Sequence, residues 1–488
     1  MKNIYKIILG LFFVAIQTLN AQEKQPNILF IAIDDMNDWT GFLGGHPDAK
    51  TPNLDKIADM GINFTNAHVP APGCSPSRNA ILYGIEPFNS GLYPFYDHGI
   101  HKQLMNTYTS LPRLLKENGY QTFGAGKIHH GNLKDPREWT EYHDPKAIKK
   151  EFRPGEGYIK GKDAKYSFRP TLNPDKEHKD HQFASFGIEK LQQKHDKPFF
   201  LAVGIVKPHL PFDAPARFFD QLPKNITIDN YKKDDLNDIP QAGKKLVKQG
   251  EFNRYKQDKA WADIRKAYLA SISWADYNIG RVLKALEKSE HADNTIVIIW
   301  SDHGFHLGEK NTFKKFTLWE EATRVPFIIY DGRVKNQPKG RKYSEAVSLI
   351  NLYKTIAEYT NLDIADYVDG ESLIPVVKNQ TTKLKKPVIT SWGRGNYSIR
   401  TKDYRYIRYF NGGEELYNHK NDINEHTNLA NNAQHQKIKN KLKSHLPKNE
   451  KPMVSDFLSK WSVEGADKAK YKGKSVPKKA KKKAKKKN

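Results

Sequence analysis

The chain contains several runs of consecutive apolar residues in which apolar and polar positions do not alternate. The clearest of these runs are 27–33, 198–206, 294–300 and 325–330. Continuous apolar runs of this length are typical of strands that are buried on both faces of a parallel sheet. Helical patterns lie between them, and the longest covers 260–287. The alternation predicts an α/β fold built on a mainly parallel, doubly wound sheet that is covered by helices.

A different pattern begins after Pro375. Apolar and polar residues alternate in short segments at 387–392, 397–401 and 404–409, which are separated by turn residues. The last segment is followed by Asn-Gly-Gly at 411–413, a sequence typical of a hairpin turn. We therefore predict a catalytic domain over 22–375 and a smaller α+β subdomain over 376–463, with an antiparallel sheet and a helix near 432–445.

Polar residues follow four of the predicted strands at the point where each strand ends. They are Asp34, Asp35, Lys127, His209, Asp302 and His303. Open α/β sheets bind ligands at the edge formed by the carboxyl ends of their strands. We therefore expect these carboxylates, imidazoles and the lysine to meet at one edge of the sheet.

Three of these residues are carboxylates, Asp34, Asp35 and Asp302, and they would repel one another unless a positive charge lay among them. Oxygen ligands suit a hard cation, Ca²⁺ or Mg²⁺. The alternative is that the aspartates cap separate helices. Their positions at matching strand ends favour the metal site.

Cys74 is the only cysteine, so no disulfide can form within the chain. A Pro-Gly turn precedes it and Pro76 suits the start of a helix, so the helix N-terminus would acidify the thiol. A small buried apolar residue is the alternative reading, and the local sequence leaves both open. A divalent ion, a nucleophile and cationic donors together indicate a site for a tetrahedral anion, with sulfuryl or phosphoryl transfer as the reaction.

The two ends of the chain have their own compositions. Residues 1–21 have a charged start, an apolar segment too short to span a membrane, and small residues at the end. This pattern predicts a signal peptide. We therefore expect an exported protein, periplasmic or secreted, without a transmembrane anchor. The segment 464–488 is predicted to be a disordered tail, and 12 lysines against one acid after residue 466 account for about +11 of the net charge of +25. Export favours an anionic polysaccharide or cell surface over nucleic acid as the partner of this tail, and a solvated tail without a partner is the alternative.

The segment Cys74-Ser75-Pro76-Ser77-Arg78 resembles the C-x-P-x-R signature of the type I, formylglycine-dependent sulfatases of the alkaline phosphatase-like superfamily. Further similar stretches are Asp34-Asp35, 126–131, 207–212, 301–304, 322–326 and 422–429. The last stretch and the His209 motif are most similar to the iduronate-2-sulfatase-like branch. The resemblance implies a large mixed, mainly parallel sheet sandwiched by helices, with a smaller C-terminal antiparallel-sheet subdomain.

The resemblance also implies the chemistry of the site. A formylglycine-generating enzyme would convert Cys74 to formylglycine, whose hydrate attacks the sulfate sulfur. The implied Ca²⁺ shell, with Mg²⁺ as the alternative, consists of Asp34, Asp35, Cys74, Asp302 and His303. Residues matching the groups that steady formylglycine, hold sulfate and protonate the leaving oxygen are Arg78, Lys127, Lys315 and His209. The active-site histidine after Lys127 matches His129 in many sulfatases and His130 in the iduronate-type branch, and we expect His130.

We therefore expect a sulfuric ester hydrolase that removes sulfate from a sulfated polysaccharide or its oligosaccharides. An algal polymer such as ulvan is the preferred substrate, and the iduronate 2-sulfate of glycosaminoglycans is the second. A phosphodiesterase or phosphonate hydrolase of the same superfamily and an inactive polysaccharide-binding protein are the alternatives. Arg324, Arg394 and Arg400 are candidate ligands for the uronate carboxylate.

Overall fold

Eight strands form the central sheet, and from one edge to the other they are Arg341–Tyr343, Ile62–Phe64, Phe327–Asp331, Thr295–Ser301, Asn27–Asp34, Phe199–Pro208, Gln121–Gly126 and Glu141–His143. The structure is a computed structural model that describes residues 24–95, 98–146, 149–158, 168–247, 249–379 and 383–454. Its strands are β1 (Asn27–Asp34), β2 (Ile62–Phe64), β3 (Ala67–His68), β4 (Gln121–Gly126), β5 (Glu141–His143), β6 (Pro170–Thr171), β7 (Phe199–Pro208), β8 (Ala214–Pro215), β9 (Thr295–Ser301), β10 (His306–Leu307), β11 (Phe313–Lys314), β12 (Phe327–Asp331), β13 (Arg341–Tyr343), β14 (Val347–Ser348), β15 (Val388–Ser391), β16 (Tyr397–Arg400), β17 (Tyr404–Arg408) and β18 (Glu414–Asn418).

The helices connect these strands and cover the sheet. They are α1 (Pro52–Met60), α2 (Cys74–Tyr83), α3 (Pro87–Ser90), α4 (His98–Thr107), α5 (Leu111–Glu117), α6 (Lys179–Gln192), α7 (Ala216–Asp220), α8 (Gln241–Lys244), α9 (Gln249–Gln257), α10 (Trp261–Glu287), α11 (Glu320–Thr323), α12 (Asn351–Tyr359), α13 (Ile374–Val377) and α14 (Gln436–Lys443). Short 3₁₀ turns cover Asp175–Glu177, Ala292–Asn294, Glu309–Asn311 and Ala433–His435.

The central sheet is mainly parallel, as the apolar runs predict. Strand β1 pairs in parallel with β7 on one side and β9 on the other, and β12 alone runs against its neighbours. All eight residues of β1 are buried. Side chains alternate between two cores, since Leu29 and Ile31 pack in one and Ile28 and Phe30 in the other. The continuous apolar pattern of β1 therefore reflects helices on both faces.

The smaller sheet is antiparallel, in the order β15-β16-β17-β18, and also agrees with the sequence pattern. Gly412, with φ of 87°, forms the turn between β17 and β18, where its left-handed backbone favours glycine. One face of this sheet packs on α14 through Leu442, and the other contributes to a cluster with Leu318 and Trp319 from the segment before α11. The C-terminal sheet is thus connected to the loop that carries Lys315.

Several sequence predictions concern residues that the structure does not describe. The predicted signal peptide at 1–21 and the lysine-rich tail at 464–488 lie outside the described residues. The predicted domain boundary after residue 375 falls within α13, and the smaller sheet begins at Val388. The division into domains stays a prediction. In the part of the chain that is described, no helix has the length and apolar character needed to cross a bilayer.

Candidate active site

The carboxyl ends of β1 and β9 are joined by hydrogen bonds at the edge of the sheet. The Asp35 N–H donates to Asp302 Oδ1 at 3.1 Å, and the Asp302 N–H donates to the Ile33 carbonyl at 3.1 Å. Asp35 has φ of 64°, a left-handed conformation that costs free energy in a residue other than glycine. Both aspartates are fully buried, so the sheet holds two carboxylates side by side in a dry environment.

Arg78 links three strand ends from inside the protein. Its side chain is 0% exposed, and Nε donates to Asp302 Oδ2 at 2.8 Å while Nη2 lies 3.4 Å from Asp34 Oδ1. Nη1 donates to the carbonyls of Lys127 and Ile128, which follow β4. Burial would lower the pKa of Arg78, but Asp302 and Asp34 raise it. The guanidinium therefore remains charged and holds the aspartates in place.

Cys74 is the first residue of α2, and Gly73 precedes it in an extended conformation. The predicted helix therefore begins two residues before Pro76. A Cβ at Gly73 would lie 3.0 Å from the Trp392 ring and 3.2 Å from the Phe316 ring, so glycine permits the close approach of these two side chains. Cys74 is 1% exposed, and its thiol points into the cluster of charged groups.

Three cationic side chains surround the Cys74 sulfur. His303 Nε2 lies 3.1 Å from Sγ, Lys315 Nζ lies at 3.2 Å, and Lys127 Nζ lies at 3.7 Å. Burial alone would raise the pKa of the Cys74 thiol, but Lys127, Lys315 and His303 together hold it well below its ordinary value. The position therefore favours a negatively charged group, as a site for an anion requires.

Each of the two lysines also forms an ion pair with an aspartate. Lys315 Nζ lies 2.5 Å from Asp35 Oδ1, and Lys127 Nζ contacts Asp34. Lys315 lies between two residues with left-handed backbones, Lys314 with φ of 100° and Phe316 with φ of 78°. This loop turns the Lys315 side chain toward the end of β1. Its left-handed residues are strained, and backbone strain of this kind is common at functional sites.

The two neighbouring histidines, His129 and His130, face different groups. His129 is 3% exposed, and its Nε2 lies 3.0 Å from Glu138 Oε2, so the ring faces Glu138. His130 lies beside Cys74, where its hydrogen bond helps to lower the pKa of the thiol. The expectation that His130 rather than His129 faces the nucleophile position agrees with this geometry.

His209 lies at the opening of the site, with its side chain 33% exposed. Its Nδ1–H donates to the Leu210 carbonyl at 2.8 Å, which leaves Nε2 facing Asp35 Oδ2 at 3.9 Å. Burial would lower the pKa of His209, but Asp35 and Asp34 raise it. Lys207, paired with Asp213 at 2.6 Å, donates to the Pro211 carbonyl and fixes this loop.

The donor atoms at this edge fit a hard divalent cation. Atoms of Asp34, Asp35, Cys74 and His303 all lie within 4.8 Å of one another. Asp35 Oδ2 is buried and has no hydrogen-bond partner among the described residues, so an acceptor remains for a cation. Burial raises the pKa of Asp302 to about 6 although Arg78 opposes the shift, which shows how costly its negative charge is here. An oxygen in place of the Cys74 sulfur would complete a ligand set that suits Ca²⁺ or Mg²⁺.

The three arginines predicted to bind a uronate carboxylate are engaged elsewhere. Arg400 is 4% exposed and donates to Glu320, so the structure gives it a buried ion pair instead of a free guanidinium at the site. Arg324 Nη1 lies 2.8 Å from Asp38 Oδ2, and Arg394 Nε lies 3.4 Å from Glu450 Oε2. None of these distances brings an arginine to Cys74, and the substrate-binding role stays a prediction for all three arginines.

The sequence interpretation missed a cluster of aromatic residues next to Gly73, the residue before Cys74. Phe316 and Trp392 stack with centroids 4.9 Å apart, and Phe95 lies 5.8 Å from Phe316 and 5.2 Å from the His130 ring. The three residues come from distant parts of the chain, so no local pattern identifies them. Only the position of Phe316, directly after Lys315, could have indicated that it lies near the site.

Comparison with known proteins identifies the family. The sulfatase family model matches residues 26–362, and the model described as N-sulphoglucosamine sulphohydrolase, C-terminal, matches residues 308–452. The chain therefore belongs to the sulfatase family, and the protein is a sulfatase.

Individual relatives agree with this assignment. A sulfatase of Formosa agariphila is 35% identical, covering 92% of each chain, and mouse iduronate 2-sulfatase is 30% identical over 74% of each chain. An ulvan-active sulfatase of Formosa agariphila is 26% identical over 91% of this chain and 85% of its own length. The solved structure of a 2-O GAG sulfatase, 21% identical, superposes with a TM-score of 0.70 over 93% of this chain and 95% of that chain. The predicted alkaline phosphatase-like fold is thereby confirmed.

Proposed function

We propose that this sulfatase hydrolyses a sulfate ester of a carbohydrate, R–OSO₃⁻ + H₂O giving R–OH and hydrogen sulfate, with Cys74 converted to formylglycine. The observation that carries the proposal is the set of cations around Cys74, in which Lys315 and His303 lie within 3.2 Å of the sulfur. Such a pocket stabilises the tetrahedral anion and the charge that develops on transfer of the sulfuryl group. The hydrate of formylglycine would supply the nucleophilic oxygen.

The cation would be held by Asp34, Asp35, Asp302 and His303, together with residue 74, and Ca²⁺ is the ion we propose. A bound Ca²⁺ supplies positive charge that favours an ionised nucleophile. Arg78 keeps Asp302 and Asp34 in position and charged, since it donates to both.

We assign the remaining proton and charge roles to four side chains. Lys127 and Lys315 neutralise the sulfate oxygens, because both ammonium groups face residue 74. His209 lies at the opening with a raised pKa, so it is placed to donate a proton to the leaving oxygen. His130 lies beside residue 74 and steadies the nucleophile.

For the substrate we propose a sulfated polysaccharide or its oligosaccharides, with ulvan as the preferred polymer. The ulvan-active relative supports this choice, whereas the iduronate 2-sulfatase relative and the structural likeness to a 2-O GAG sulfatase support a 2-sulfated uronate. Sulfate release from ulvan, carrageenan, fucoidan and heparan oligosaccharides, measured by ion chromatography, tests the choice. Release from heparan alone would replace ulvan by the glycosaminoglycan substrate.

Export by the signal peptide at 1–21 and maturation by a formylglycine-generating enzyme are part of the proposal. Mass spectrometry of the peptide that contains residue 74 tests the modification. An unmodified Cys74 in fully active protein would overturn the nucleophile assignment.

The two alternative functions are tested with the same protein. Faster release of phosphate than of sulfate from matched esters would favour a phosphodiesterase or phosphonate hydrolase. Cys74→Ala should abolish turnover but retain the fold, because the side chain is small and buried. Binding to polysaccharide without turnover in the unaltered protein would instead favour the inactive binding protein.

A further inference from the structure

A second cavity of about 270 Å³ lies away from the active site. Its walls come from α3, the start of α12 and strand β15, which is an edge strand of the smaller sheet. Glu86 lines this cavity and follows α2 at the end opposite to Cys74. A helix of ten residues is about 15 Å long, so the cavity is separated from the nucleophile position by the length of α2.

Apolar and acidic side chains both line the cavity. The apolar ones include Phe88, Ile350 and Val388, and the acidic ones are Glu86, Asp369 and Glu371. A pocket with an apolar wall and a small number of placed polar groups is the usual form of a small-molecule site. Carboxylates outnumber lysines and arginines in this lining, although the chain as a whole carries a net charge of +25.

Glu86 has a carboxylate oxygen that nothing in the described part of the chain satisfies. The residue is 9% exposed, and Oε2 is buried without a hydrogen-bond partner among the described residues. The neighbouring Asp369 cannot supply a proton donor, and its own oxygens accept the Glu86 N–H at 2.8 Å and the Asn89 side-chain amide at 2.9 and 3.0 Å. A buried acceptor left unpaired is costly, so Glu86 Oε2 is placed for a ligand that donates a hydrogen bond.

The charges around Glu86 favour a positively charged donor. Burial and the charge of Asp369 raise the pKa of Glu86 well above its ordinary range, and Lys386 opposes the shift only in part. Lys386 itself is exposed, and it is the one lysine or arginine among the described residues that line the cavity. A cation bound between Glu86 and Asp369 would remove their repulsion, whereas a sulfate group would add to it.

We propose that this cavity binds a small organic ammonium ion, which donates to Glu86 Oε2 while its carbon body lies against Phe88 and β15. An amino sugar and an alkylamine share this chemistry, and both fit the combination of a charged group and an apolar wall. The site is separate from the one that turns over sulfate esters, and it selects the opposite charge. The proposal therefore does not depend on which sulfated carbohydrate the active site accepts.

Calorimetric titration of the intact protein tests the proposal with two matched pairs of probes. The first pair is glucosamine and glucose, and the second is n-butylammonium and n-butanol. We expect the ammonium compounds to bind and their neutral partners to fail, because only an ammonium group compensates Glu86 and Asp369. Tighter binding of glucosamine assigns the site to an amino sugar, and tighter binding of n-butylammonium assigns it to an alkylamine.

Two variants and a control locate the binding. Glu86→Gln removes the charge but keeps the shape, and it should weaken ammonium binding about tenfold or more, as expected for the loss of a charge-assisted hydrogen bond. Ala346→Leu fills part of the cavity without altering a charge and should weaken binding as well. Glu287→Gln, at a carboxylate whose side chain is 65% exposed, is the matched control and should bind as the parent does. Sulfate release should be unchanged in all three variants, since these residues lie outside the active-site cluster.

Three results would overturn the proposal. They are no binding of either ammonium probe at millimolar concentration, equal binding of an ammonium probe and its neutral partner, and parental affinity in both Glu86→Gln and Ala346→Leu. Loss of sulfate release in the unaltered protein would count against the proposed function and leave this test unaffected.

Discussion

Replacing Arg78 by lysine tests whether the several N–H donors of its guanidinium hold the strand ends of the active site in place. The substitution Arg78→Lys keeps the positive charge but removes the planar set of donors that reaches three strand ends. Arg78 is completely buried and donates to Asp302, Asp34 and the carbonyls after β4. A lysine ammonium in the same space cannot reach all of these acceptors, because its donors diverge from a single nitrogen.

The expected cost follows from those contacts. Breaking a buried ion pair costs about 3–5 kcal/mol, because the carboxylate that loses its partner remains buried. The retained charge of lysine offsets part of this, so we expect the free energy of unfolding to fall by about 2–4 kcal/mol. Turnover should fall about a hundredfold or more, since a displacement of about 1 Å among catalytic groups has this effect.

The assay combines denaturant unfolding, followed by tryptophan fluorescence, with sulfate release from the substrate found in the oligosaccharide panel. Arg217→Lys is the matched control, because the Arg217 side chain is 52% exposed and pairs with Asp175 at the surface. Such an exposed pair contributes less than about 1 kcal/mol. An Arg78→Lys protein with the stability and turnover of the parent would refute the reasoning.

Three further outcomes are expected. His130→Ala should lower turnover about a hundredfold with little change in stability, whereas His129→Ala should mainly lower stability, because it removes a buried ring that packs against Glu138 and Trp139; the reverse pattern in turnover and melting temperature would show that His129 faces the substrate. Dialysis against a chelator should abolish sulfate release and added Ca²⁺ should restore it, and activity that survives chelation, checked by metal analysis, would contradict the cation site. Burial and Lys310 lower the pKa of His306 from 6.5 to about 3, so the neutral ring stabilises the fold above pH 6.5 and this contribution is lost as the pH falls toward 3. Between about pH 6.5 and about pH 4.5 the loss is about 2 kcal/mol, and His306→Gln should lose less over the same range in denaturant titrations; equal pH dependence would contradict this origin.

The secondary structure was predictable where burial imposes a strong pattern. Strand β1 is buried on both faces, so positions 28–33 are all apolar, and the apolar run and the strand nearly coincide. The smaller sheet was predictable for a different reason, because its turns require residues such as Gly412 that tolerate a left-handed backbone. The start of α2 was less predictable, since Pro76 suits several positions near a helix N-terminus.

That certain polar residues lie together at the sheet edge was predictable, but their arrangement was not. Six polar residues at strand ends had to meet at one edge of a parallel sheet, because the strands run in the same direction. His129 faces Glu138, which accepts a hydrogen bond from Ser110, and this arrangement follows from tertiary packing that the sequence does not display. The ion pair of Arg400 with Glu320 could not be predicted for a similar reason, because Glu320 lies far away in sequence and close in space.

The sequence by itself determined the alternation of strands and helices, the lone cysteine before a helix and the family to which the chain belongs. These properties are local. The spacing of apolar residues reflects how a single helix or strand buries its apolar side, and each motif lies within a few consecutive residues. The tertiary structure alone decided that Lys315 and His303 face the Cys74 sulfur, that Phe95, Phe316 and Trp392 pack against one another next to Gly73, and that Glu86 lines a cavity outside the active site. Such contacts join residues separated by hundreds of positions, and they depend on how complete layers pack against one another.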